Sequence, residues 1–356
     1  KGVVNGASHK KLLAIGNLKQ PVHAWGEIYT GISAKDYMDG TSNFYGVHSV
    51  TLYVDSVQVF NSTTDKVLPD ENRMINGFTD YEELTRTRRL IMRSYKLPGN
   101  RLRLLHTNEN RGAVTIDEER DYHFRYVLED NFGNRRTYQF IVKGKRQDIP
   151  EYKPEANEML YWNRTNVIQK PGMELVVPRY YVYEDVPLRT DMRGDSSHIA
   201  FDYILDAGRT PIHSYCDLSI GLRHMPVADT TKYYIVQKAG KWRSSMGGKY
   251  ANGWIKTRVR SLGTFSVDVD TIAPQITPIG QGGWRTSRNI RFRIKDMESG
   301  IGSYKVYIDG KFVLFGLKKG ILVIQDPEKV KKGVPHKLEV TVTDQCGNMT
   351  RKEYKF

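Results

Sequence analysis

"GIGSYKVYIDG", residues 300–310, has a near copy in "GVHSVTLYVDS", residues 46–56. Gly, Ser, Tyr and Asp recur in register as Gly46/Gly300, Ser49/Ser303, Tyr53/Tyr307 and Asp55/Asp309. In the first copy Val50, Leu52 and Val54 alternate with Thr51, Tyr53 and Asp55. In the second, Tyr304, Val306 and Ile308 alternate with Lys305, Tyr307 and Asp309. Period-two alternation predicts a strand with one buried face. A Lys-Asp pair and a Gly-containing turn precede each strand, in "AKDYMDG" (34–40) and "IKDMESG" (294–300).

The match continues downstream, where "YHFRYVLEDNFGN" (122–134) parallels "HKLEVTVTDQCGN" (336–348). Phe124, Tyr126 and Leu128 alternate into an Asp-x-x-Gly-Asn turn, as do Leu338, Val340 and Val342. A returning strand follows each, with Tyr138, Phe140 and Val142 in one and Tyr354 and Phe356 in the other. Asp bonds backbone amides ahead of it and Gly-Asn tolerates positive φ, so both turns suit hairpins. Two matched segments in the same order identify a duplicated module.

The second copy, 270–356, has the size and texture of an immunoglobulin-like sandwich. The first is longer: Asp55 and Asp130 are 75 residues apart, whereas Asp309 and Asp344 are 35 apart. The difference is an insertion that contains "LTRTRRLIMRSYKLPGNRLRLL" (84–105), with seven Arg or Lys and no acid. Linker-like "GKRQDIPEYKP" (144–154) and "DTIAPQITP" (270–278) frame a third unit. Within it, "MELVVP" (173–178), "HIAFDYIL" (198–205), "KYYIVQ" (232–237) and "GTFSVDVD" (263–270) read as strands. Only 80–91 has helical character. The expected fold class is all-β, with tandem immunoglobulin-like sandwiches in a string of three. Residues 1–146 form a sandwich with a basic insertion near 61–105, 147–269 a middle β domain, and 270–356 a second sandwich.

Composition agrees. The 356 residues exceed one ordinary core, 39% are hydrophobic and 26% charged, and no apolar run approaches the ~18 residues that span a bilayer. Residue 1 is Lys, which reads as a processed or truncated piece of a longer protein. A net charge of +14 favours an anionic partner. Cys216 and Cys346 read as isolated thiols, not as a disulfide framework or zinc pattern.

Catalytic chemistry finds little to stand on. None of the nine histidines (His9, His23, His48, His106, His123, His198, His213, His224, His336) forms a His-x-His or His-Glu-x-x-His pattern, and only His213 and His224 approach a pair. "GDSSH" (194–198) sets Ser196 between Asp195 and His198, but triad partners normally converge from distant parts of a chain, so a hydrogen-bonded loop is expected. Asp36 with Asp39, or Asp296 with Glu298, could hold calcium, yet neither has the ligand spacing of a calcium loop, and turn chemistry is expected. No catalytic, metal or cofactor residue is assigned. The candidate anionic-polymer patch is Arg86, Arg88, Arg89, Arg93, Lys96, Arg101 and Arg103. With only Tyr95 close by, base stacking is unsupported and no nucleic acid is expected. Trp25, Trp162, Trp242, Trp254 and Trp284 are expected to pack in cores or interfaces.

"PVHAWGEIYTGISAKDYMDG" (21–40), "YWNRTNVIQKPGMELVVP" (161–178), "DTIAPQITP" and the closing "HKLEVTVTDQCGN" together resemble the C-terminal β region of exported lysostaphin-type zinc metallopeptidases of Gram-negative gut bacteria. The resemblance implies a periplasmic or extracellular, envelope-associated location. It also implies a catalytic zinc domain upstream, since nothing here matches that family's metal ligands. The chain itself is then no enzyme, but an accessory region for spacing, docking or regulation. Its partners would be peptidoglycan or another anionic envelope polymer, and the upstream peptidase domain. The alternative is a stand-alone glycan-binding or adhesion module.

Overall fold

In the computed structural model, which describes residues 2–8, 20–38, 40, 42–151 and 153–356, the two copies take the same backbone course. Ser49–Val54 and Ile301–Ile308 are the repeated strands. Each pairs antiparallel with Asp121–Glu129 or Lys337–Asp344 in equivalent register. Leu52 faces Tyr126 and Val54 faces Phe124, as Val306 faces Val340 and Ile308 faces Leu338. Asp55 and Asp309 both have φ of 49°, followed by Ser56 at 71° and Gly310 at 76°. Two successive positive φ values make the type I′ turn of a two-residue hairpin. Each Asp anchors its turn: the Asp55 carboxylate accepts from the His123 amide at 2.8 Å, that of Asp309 from the Lys337 amide at 2.9 Å.

The chain packs as two units, described separately. The first comprises Lys1–Asn166, Val177–Arg189 and Ala207–Ser214. Its main sheet runs in the order Gly2–Val4, Val22–Ile28, Arg135–Gly144, Asp121–Glu129, Ser49–Val54, Val57–Thr63, Leu105–Thr107, and Val114–Ile116 also pairs with Val22–Ile28. The alternation read in the sequence buries Val50, Leu52, Phe124 and Tyr126 on one face. What closes that face is the insertion itself: Met74, Phe78, Met92, Leu97 and Leu102 belong to the same core, with Tyr183 among them. The insertion is therefore part of the core. It carries the helix Tyr81–Thr87, whose first turn is capped by Asp80 accepting from the Glu83 amide at 3.1 Å. Tyr183 ties it down further: its hydroxyl donates to the Arg73 carbonyl at 2.8 Å, and its main-chain carbonyl accepts from the Gly99 amide at 2.7 Å. A Cβ on Gly99 would sit 3.0 Å from that same Tyr183 oxygen, which is why the chain is bare there.

The second unit comprises Val167–Val176, Thr190–Asp206 and Tyr215–Phe356. The four expected middle strands appear as Met173–Val177, Asp202–Asp206, Tyr233–Ala239 and Gly263–Val269. The second of these begins four residues later than read, because His198 is held in a side-chain-bonded loop. Residues 275–355 form a true sandwich. One sheet is Gln275–Ile279, Arg291–Lys295, Ile321–Ile324 and Phe315–Lys318; the other is Lys311–Phe312, Ile301–Ile308, Lys337–Asp344 and Met349–Lys355. Phe292 and Leu322 from one meet Val306, Leu338 and Val340 from the other in a single core. Among the described residues no helix is long and apolar enough to cross a membrane.

Candidate functional site

Four of the insertion's seven cations, Arg86, Arg93, Arg101 and Arg103, each engage a different partner. Arg86 pairs with Glu83 at 2.6 Å, and Arg103 clasps Glu71 through two bonds at 2.6 and 3.1 Å. That clasp, with the Leu68 amide, holds the Glu71 carboxyl down to about 2. Arg93 faces Glu184 at 3.9 Å and lies over Tyr95, Arg101 lies over Tyr180, and Lys96 is partly buried, its pKa lowered by burial and by Arg111. Arg88 and Arg89 are exposed where the helix ends in a left-handed residue.

A cleft of about 510 Å³ opens elsewhere on the same unit. One wall runs from Ile32 to Tyr37, and its short strand Asp36–Tyr37 pairs with Phe44–Tyr45 at the cleft's edge, where Tyr37 faces Phe44. Their rings stand 6.3 Å apart, and the Lys35 ammonium lies 3.8 Å from the centre of Phe44. Tyr37, Phe44 and Tyr45 are 61%, 53% and 49% exposed, an unusual outlay of aromatic surface to leave in water. The other wall is the Asp-x-x-Gly-Asn turn and the strand leaving it. Asp130 there accepts from the Asn134 side chain at 2.7 Å, Arg135 pairs with Glu129 at 2.8 Å, and Arg136 lies over Tyr138. Aromatic faces beside carboxylate, amide and guanidinium groups suit a ligand with both C–H faces and hydroxyls. Asp36 lines this cleft; Asp39, its suggested calcium partner, lies outside the described residues.

On the second unit Asp270, Asp296 and Asp344 converge, with ligand oxygens all within 4.8 Å of one another. Among the described residues this is the one such group able to hold a metal ion, and its all-oxygen donors suit a hard cation. Asp270 is fully buried and accepts from the Ser299 amide at 3.0 Å, the Ser299 hydroxyl and the Ile272 amide. Asp344 accepts from the Asn348 amide and side chain, both at 2.8 Å. Asp296 caps its own turn, taking the Glu298 amide at 3.1 Å and the Gly300 amide at 2.6 Å. Burial pushes the Asp344 carboxyl up, opposed by Asn348 and reinforced by the two neighbouring carboxylates. Turn chemistry at Asp296 was legible in the sequence, but the trio was not. Glu298, its suggested partner, instead accepts from the Tyr234 hydroxyl at 3.3 Å.

The remaining candidates are structural. Asp195 accepts from the amide and hydroxyl of Ser197, and His198 lies 3.0 Å away, so "GDSSH" is a bonded loop that leaves Ser196 out. His213 engages the Tyr183 hydroxyl at 3.0 Å, and His224 is exposed. Both cysteines are buried and outside any disulfide, and burial pushes the thiol of Cys346 up to about 11. Trp284 is wholly buried, Trp242 is 81% exposed, and Trp25, Trp162 and Trp254 lie between.

Residues 157–270 match the family model of the Zu5-like domain. No curated protein matches the chain. Among solved structures, it is similar to a Ca2+-stabilised adhesin with which an Antarctic bacterium binds ice, at 10% identity over 93% of both chains, with a TM-score of 0.17. A 1.5-MDa bacterial ice-binding adhesin is similar at 10% identity over 88% of this chain and 86% of that one, with a TM-score of 0.16. The third is SGBP-B of the Bacteroides ovatus mixed-linkage glucan utilization locus, solved with a mixed-linkage heptasaccharide. It is 10% identical over 91% of this chain and 62% of that one, with a TM-score of 0.15. At this identity no residue role is carried from any of them.

Proposed function

We propose that this chain is a non-catalytic β module that binds carbohydrate outside the cell, with the aromatic cleft of the first unit as its site. The exposed Tyr37–Phe44 pair beside the polar turn at Asp130 carries this reading. Sugar rings offer C–H faces to aromatic side chains and hydroxyls to carboxylates, amides and guanidinium groups, and the cleft supplies both kinds of partner. Peptidoglycan is one polymer to test, because the sequence resembles the tail of lysostaphin-type peptidases. In that setting the module would dock or space a catalytic domain.

The test is affinity electrophoresis of the full chain through gels holding single polysaccharides, with co-sedimentation on peptidoglycan sacculi in parallel. A Tyr37→Ala/Phe44→Ala double variant should weaken binding by roughly tenfold or more while leaving the melting temperature nearly unchanged. Binding that survives the double variant intact would remove the cleft from the reading.

A further inference from the structure

The outward face of the first unit's sheet carries one row of polar and aromatic side chains. Strand pairing sets Gln58 beside Tyr53, Tyr53 beside Arg125, and Arg125 beside Gln139. At a strand spacing of roughly 4.8 Å, the row runs about 14 Å across four strands. The Arg125 guanidinium lies over the Tyr53 ring, its central carbon 4.2 Å from the ring centre. A guanidinium held over an aromatic ring makes that contact through its face, and its N–H groups can still donate to a ligand.

The acids of this face are already engaged. Glu129 is paired with Arg135 at 2.8 Å, and Asp121 lies 3.9 Å from Lys143. Arg125 has no ion-pair partner among the described residues, and exposed His123 stands on the same strand and face. Beside the row, Asn61 donates to Thr51 at 2.9 Å, which continues the polar face. A shallow cleft of about 510 Å³, lined by Pro21, Ser56, His123, Arg125, Gln139 and Ile141, opens here.

We infer that this row binds an acidic polysaccharide, a uronic-acid polymer, through Arg125. The inference rests on the carbohydrate-binding reading and narrows its substrate class. A uronate carboxylate meets the guanidinium edge through paired charge-assisted bonds. The flanking Gln58 and Gln139 amides then reach ring hydroxyls on either side, and Ile141 and Pro21 offer apolar surface to C–H faces. The Tyr53 ring beneath the guanidinium restricts it before ligand arrives, which lowers the ordering cost of binding. Nothing comparable occurs in the second copy, where the residue equivalent to Arg125 is Glu339, engaged with Arg351.

The experiment is affinity electrophoresis of the full chain in gels holding polygalacturonate or neutral dextran, with melting curves for every variant. Polygalacturonate should retard the chain and dextran should retard it much less. Arg125→Gln should weaken retention by about tenfold, and Arg125→Lys should restore only part of it, since an ammonium lacks the flat two-point edge. Lys241→Gln, the same change of charge at an exposed turn, should have little effect. Equal losses from Lys241→Gln and Arg125→Gln would reduce the binding to net charge and overturn the inference. Retention that falls with Tyr37→Ala/Phe44→Ala but not with Arg125→Gln would overturn it while leaving the carbohydrate reading in place. Passage unretarded through every polysaccharide gel would overturn both.

Discussion

His336 and Asp309 meet through Nδ1 and Oδ2 at 2.6 Å, while the other ring nitrogen of His336 lies 2.7 Å from the Lys331 carbonyl oxygen. A carboxylate and a carbonyl both accept, so both bonds form together only when the ring carries two protons. Burial and nearby Arg285 oppose that charge, but the bonds to Asp309 and Lys331 outweigh them, and the net shift is upward. A folded-state pKa raised above the unfolded value stabilises fully below about 6.5 and is lost as pH rises through the raised value. Asp309, held down chiefly by His336, acts in the opposite sense: its contribution is present above about 3.9 and is lost on acidification. The melting temperature of the second unit should therefore fall between neutral and alkaline pH. His336→Gln should flatten that decline, and an identical decline in the variant would show that the clasp is not its source.

Ser56 occupies the I′ turn position that Gly310 holds in the other copy, at φ of 71°. An L side chain in that region costs about 1 kcal/mol. Ser56→Gly should stabilise the first unit by up to that amount, less the extra freedom glycine has when unfolded. Urea unfolding measures it, and a loss of stability would mean that the Ser56 side chain makes a compensating contact.

The trio Asp270, Asp296 and Asp344 has no ion-paired cationic side chain among the described residues; Lys232 nearby donates to the Cys346 carbonyl and pairs with Asp229 at 3.7 Å. Removing one charge while keeping the turn acceptor should relieve the repulsion. Asp296→Asn is predicted to stabilise the second unit by roughly 1 kcal/mol in EDTA. Millimolar calcium should raise the melting temperature of the parent chain and have a smaller effect on the variant. No response of either protein to calcium, together with a destabilised Asp296→Asn, would leave these carboxylates as turn anchors alone.

Two tryptophans provide a contrast. Trp284 donates to the Ile279 carbonyl at 2.9 Å and packs edge-on against Phe292, Tyr354 and Phe356. Trp284→Ala should cost about 3–5 kcal/mol. Trp242→Ala, at an 81% exposed residue, should stay within about 0.5 kcal/mol. Chemical denaturation of both variants checks the pair.

Much of the fold was written in short stretches. The alternation in 46–56 and 300–310 marked the central strands, and the Asp-x-x-Gly-Asn turns marked their hairpins. "GDSSH" read as a bonded loop and is one. The insertion was harder, because its apolar residues Met74, Phe78, Leu97 and Leu102 follow neither period and only their contact with the sheet identifies them as core. The aromatic cleft lacked a sequence signal too, since Tyr37 and Phe44 look like ordinary strand residues until their exposure is known.

The sequence by itself determined the duplicated strands, which of their faces is buried, and the Asp-anchored turns. These follow from two-residue periodicity and from bonds between close neighbours along the chain. Only the tertiary structure decided that Arg103 is committed to Glu71 while Arg125 lies over Tyr53, and that Asp270, Asp296 and Asp344 share one space. Burial and charge pairing depend on groups dozens of residues apart, and a single sequence does not say which of them meet.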